Sequence, residues 1–90
     1  MNILCTSLYE EQLQEILVQF AAEDFAATKK FKLYLDTILI NLPTKAQKYK
    51  PSPEFDNDAI REIPHENFNI LFFIDDISNN YLILAILPKK

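Results

Sequence analysis

Apolar residues recur with helical spacing through the first half of the chain and with strand spacing through the last third. Leu13, Ile16, Leu17, Phe20 and Ala21 fall at i, i+3, i+4, i+7 and i+8, which is one face of an α-helix. Ser7 with Glu10 three residues later has the form of a capping box, which predicts a helix beginning at Ser7 and ending near Glu23. Asp24 is placed to cap a second helix, whose stripe of Phe31, Leu35, Ile38, Leu39 and Leu42 runs until Pro43 stops it. So short a link makes the pair an antiparallel hairpin, and each apolar stripe then demands a covering surface.

That surface has to come from the extended segments. Residues 2–6 read as a short strand, residues 60–63 as a second, and residues 68–74 as a third. In the third, Phe68, Ile70, Phe72 and Ile74 alternate with Asn69, Leu71 and Phe73, so both faces are largely apolar and the strand belongs in the middle of a sheet. Residues 75–80 make a turn in which Asn79 and Asn80 tolerate positive φ, and residues 81–87 form the last strand, ended by Pro88. The segment 43–59 holds Pro43, Pro51 and Pro53 among polar neighbours and reads as one long loop, functional or mobile. The order is β-α-α-β-β-β. The fold expected is α+β, a helical hairpin packed on one face of a four-stranded, mainly antiparallel sheet. Its first strand lies at an edge or beside the last.

Ninety residues make one domain with a modest core, and 49% hydrophobic residues suffice to fill it. Burial on this scale barely exceeds the conformational entropy lost on folding, so a permanent partner would help the domain. The net charge of −4 argues against bulk affinity for nucleic acid. Charge is nevertheless unevenly spread, because Lys45, Lys48 and Lys50 form a basic stretch with no acid among them.

Glycine is absent, which removes phosphate-cradling loops, dinucleotide fingerprints and nucleophile elbows. The single cysteine, Cys5, excludes an internal disulfide and a cysteine-based zinc site, and its place in a strand predicts a small buried hydrophobe. The one histidine, His65, sits between Pro64 and Glu66 without a nucleophile at motif spacing and is expected on the surface. No cofactor or metal is expected. The opening residues lack the form of a signal peptide and no apolar run is long enough to span a bilayer, so the expected location is cytoplasmic, without membrane contact.

Several phrases of the sequence resemble the ParE/RelE toxin superfamily, in which a helical hairpin and a proline precede a loop with basic residues. Here the loop holds Lys48-Tyr49-Lys50, and the Ile-Arg pair that opens the next strand is Ile60-Arg61. The run from Phe68 to Asp75 is similar to the family's central strand, and Ile83-Leu84-Ala85-Ile86-Leu87-Pro88 to its last. The resemblance implies the toxin of a type II toxin–antitoxin module, wrapped by a cognate antitoxin. Its ParE-like branch inhibits DNA gyrase without being an enzyme, and its RelE-like branch cuts messenger RNA on the ribosome.

The last strand discriminates between these branches. Ala85 stands where arginine is common and Pro88 where histidine is, so the acid and base that RNA cleavage needs are not visible. The resemblance therefore favours a ParE-like toxin acting by protein binding, with a RelE-like endoribonuclease or a non-toxic interaction module as alternatives. Catalytic residues are not assigned. Arg61, Lys48, Lys50, Lys89 and Lys90 are the candidate basic contacts, and Tyr49 and Phe55 the candidate interface aromatics.

Overall fold

A computed structural model describes residues 2–89, and Lys90, one of the candidate basic contacts, lies outside them. The elements are β1 (Asn2–Cys5), α1 (Ser7–Glu23), α2 (Phe25–Ile40), α3 (Leu42–Lys45), a 3-10 turn (Ala46–Lys48), β2 (Ile60–His65), β3 (Phe68–Asp75) and β4 (Asn80–Pro88). They form one sheet in the order β1-β4-β3-β2. The three C-terminal strands are an antiparallel meander, and β1 adds parallel to β4 after the chain has crossed over through the hairpin. The first strand is thus both at an edge and beside the last, and the expected α+β architecture holds.

The two stripes bury where their periodicity placed them. Leu13 on α1 and Phe31, Leu35 and Leu39 on α2 are buried against Ile63, Ile70, Phe72, Ile83 and Ile86 of the sheet, with Ile16, Leu17, Phe20 and Ile38 packed at the margin. Tyr9, one turn before Leu13, extends the first stripe and is buried too.

The start of α1 differs by one residue from the capping-box expectation: Thr6, not Ser7, is the N-cap. Its hydroxyl accepts the Tyr9 N–H at 3.0 Å and donates to the Leu84 carbonyl at 2.8 Å, while its amide bonds the Ile83 carbonyl. Only the residue still lying against β4 can close the helix and the strand edge together, and Ser7 is already exposed. Past Cys5, where β1 has ended, Gln12 also reaches this edge, accepting the Ile86 N–H at 2.9 Å. A register shift at Leu71/Phe72 bends the sheet at the same level.

Asp24 caps α2 as expected, its Oδ1 accepting the Ala27 N–H. Pro43, by contrast, does not open a loop. It occupies an early position of α3, where its missing N–H costs nothing, and Leu42 and Ala46 anchor this corner in the core. The remainder of the long connection also has a defined job. The Ser52 N–H bonds the Ile60 carbonyl, the Glu62 N–H bonds the Lys50 carbonyl, and Pro51 bridges Arg61, so residues 50–52 cover the outer edge of β2 from Ile60 to Glu62.

Two further expectations are corrected. His65 is buried, because β2 runs on through it to a two-residue turn and alternation aims it at α2; its Nε2 lies 3.3 Å from the Phe31 carbonyl oxygen. Cys5 is exposed, because an edge strand beside the start of α1 is covered on one side only. At the β3–β4 turn Asn79 takes φ of 59°, as its side chain allows, and at the β2–β3 turn Glu66 takes φ of 53°.

Candidate functional site

Arg61 lies on β2 opposite Phe72, on the helix side of the sheet. Its Nη1 donates to the carbonyls of Tyr49 at 2.8 Å and Gln47 at 3.3 Å, and its Nε is buried without a partner. The neighbouring Glu62 instead accepts the Ser52 hydroxyl at 3.0 Å. The guanidinium therefore holds the segment that carries Lys48 and Lys50, both exposed, and brings these three sequence candidates into one neighbourhood. Tyr49 packs edge-on to Phe72 with centroids 6.0 Å apart, while Phe55 stands at the loop surface.

Lys89 lies elsewhere. Together with Glu54, Glu62, Asn69, Leu71 and Leu87 it lines a cleft of about 650 Å³. Glu62 pairs with Leu71, and these positions alternate with core-facing Ile63, Ile70 and Phe72, so the cleft occupies the sheet face turned away from the hairpin. Ala85, opposite Leu71, is buried, and Pro88 lines the cleft at its end. Chemically this is an apolar hollow with two carboxylates and one ammonium on its walls.

An apolar concavity lies on the hairpin's outer side. Leu17, Val18, Ala21, Phe25 and Leu33 line a groove of about 680 Å³ between α1 and α2. Val18 (59% exposed), Phe25 (65%) and Leu33 (64%) are large side chains left in solvent. Lys29, Lys30 and Lys32 border the groove against one carboxylate, Asp36, which already accepts two short bonds from Lys32. Lys29 also lies 5.5 Å above the Phe25 ring. In a chain of net charge −4 this rim is locally positive. The sequence reading missed the groove because it followed the core stripes, although apolar Val18 and Leu33 off those stripes were the available signal.

Titration properties follow the packing. Burial raises the Tyr9 hydroxyl far above its usual range, with Cys5 and Asp36 adding to the effect. Partial burial also raises the Cys5 thiol, followed by the charges of Glu10 and Asp36. At the β3–β4 turn the Ser78 hydroxyl holds the Asp75 carboxyl below its ordinary value, helped by the amides of Ser78 and Ile77. Among the described residues no group of three or more His, Cys, Asp or Glu is arranged to hold a metal ion, and no helix is long and apolar enough to cross a membrane.

Comparison with known proteins gives the arrangement its relatives. The chain is similar in fold to a solved structure of the chromosomal ParDE TA system from P. aeruginosa, with a TM-score of 0.71 and 15% identity over 100% of this chain and 97% of that one. Comparison with curated proteins gives no match. Residues 3–90 match the family described as ParE toxin of type II toxin-antitoxin system, parDE. A match over nearly the whole length, on the fold the sequence implied, places the chain in the ParE toxin family.

Proposed function

We propose that this protein is the toxin of a type II module and acts by binding protein: a cognate antitoxin holds it, and DNA gyrase is its target. The observation that carries this reading is the exposed apolar groove of the hairpin, a surface of the kind that receives a partner's helix. The cleft on the opposite sheet face supports it from the other direction. Its walls carry Glu54, Glu62 and leucines, a poor lining for the phosphates of a messenger RNA.

The test has two arms. Expressed without its antitoxin, the wild-type protein should arrest growth and inhibit gyrase supercoiling in purified form. The substitutions Val18→Asp and Leu33→Asp, both at exposed positions, should abolish capture by the antitoxin while leaving the circular dichroism spectrum unchanged. Unimpaired growth would remove the toxin reading altogether.

One observation favours a second reading, a ribosome-dependent endoribonuclease: Arg61 is held beside the residues that carry Lys48 and Lys50, a grouping able to bear on a phosphate. Incubation with translating ribosomes, followed by mapping of message ends, separates the two. Cleavage that is lost in Lys48→Ala/Lys50→Ala would replace gyrase inhibition as the mechanism.

A further inference from the structure

At the far end of the hairpin, where α1 hands over to α2, a second cavity opens against the β2–β3 turn. Its floor is a triangle of rings: Phe20, Phe31 and Phe68 lie 5.8 to 6.0 Å apart, centroid to centroid, in edge-on or tilted pairs. Tyr34, largely exposed, forms one wall. The rim is acidic. Glu23, Asp24 and Glu66 line it from the end of α1, the start of α2 and the strand turn. Asp24 gives one oxygen to the cap of α2, whereas Glu23 and Glu66 are exposed and their side-chain carboxylates make no hydrogen bond or ion pair among the described residues. Among the described residues Lys30 is the single cation on the lining, where three carboxylates stand against one ammonium.

Phe31 and Phe68 are buried, so the aromatic surface open to a ligand is that of half-buried Phe20 and exposed Tyr34. Beside a rim on which two of the three carboxylates are unpaired, it selects for a cation with an apolar stem, because aromatic faces and carboxylates both attract positive charge. The volume, about 430 Å³, admits one long side chain rather than a helix. A guanidinium fits better than an ammonium. Its flat face stacks on aromatic rings while its edge donates to two carboxylates at once. We propose that this cavity receives an arginine side chain presented by a protein partner. The inference rests on the reading that the hairpin is a partner-binding surface, and it adds a polarity to that surface: lysines along the groove between the helices, and an acidic socket at its end.

The experiment is a nuclear magnetic resonance titration of the full chain with N-acetyl-arginine methylamide at low ionic strength. Saturable shifts are expected at the rings of Phe20, Phe31, Tyr34 and Phe68. The uncharged citrulline analogue should leave them in place. The double variant Glu23→Gln/Glu66→Gln changes only exposed side chains and should weaken arginine binding about fivefold, the effect of two solvent-facing charge contacts. Absence of saturable shifts at these rings, an equal response to citrulline, or undiminished binding by the double variant would each overturn the proposal. If arginine fails while the groove substitutions still abolish antitoxin capture, only the socket falls. If arginine binds but no antitoxin or gyrase effect is found, the socket stands and the toxin reading falls.

Discussion

A single hydroxyl closes two ends at Thr6, satisfying the first turn of α1 and the edge of β4 where β1 has run out. Thr6→Val, which keeps the shape and deletes both bonds, should cost about 1–2 kcal/mol in urea unfolding, whereas Ser7→Ala should be close to neutral. Asp75 sets a pH dependence. Its folded-state pKa lies below the unfolded value, so its contribution is complete above the ordinary carboxylate range of about 4 and is lost as pH falls through the folded value. Asp75→Asn should flatten that part of the acid limb of stability against pH. Cys5 works in the opposite sense. Its raised pKa keeps the exposed thiol protonated, so alkylation at pH 8 should be slower than for an unstructured cysteine peptide, and Glu10→Gln should speed it. Neither the burial of His65 nor the exposure of Cys5 was legible in the sequence. Alternation assigns a side to each strand residue, but only the neighbours, α2 for one and open solvent for the other, decide what that side touches.

The helices and the meander were readable because a stripe with a period of 3.6 or 2 leaves few ways to bury itself. Leu35 is fully buried and Leu33 two residues away is not, so Leu35→Ala should cost about 2–5 kcal/mol and Leu33→Ala under about 0.5. The connection from α2 to β2 was not readable in the same way. Nothing local in residues 49–52 announces strand pairing; the bonds arise because β2 offers an unpaired edge and Pro51 can lie along it without a donor to lose. Arg61 fastens the same segment, and its removal should free it. Arg61→Ala is expected to increase proteolytic cutting between residues 53 and 58 and to lower stability by about 1–3 kcal/mol, and Arg61→Lys should not restore it, since one ammonium cannot reproduce the fixed fork of the guanidinium.

Taken together, the elements divide charge between surfaces in a way that the total of −4 conceals. The hairpin groove has a lysine rim, while the cleft across the sheet and the socket at the hairpin's end are edged with carboxylates. Composition reported only the sum, and the division required the fold. A partner seated on the lysine rim should associate more slowly as ionic strength rises, which stopped-flow mixing at several salt concentrations would measure; a rate indifferent to salt would place the partner elsewhere. The two borders of the sheet are equally unlike one another. The chain's own proline-bearing segment shields β2 from Ile60 to Glu62, Pro64 beyond it has no N–H to offer, and β1 is left with its outer backbone groups facing water among the described residues. Joining molecules strand to strand can therefore use one border only. Two copies meeting there would exhaust the available backbone donors and acceptors, so growth by this route stops at a pair and cannot propagate into a fibre.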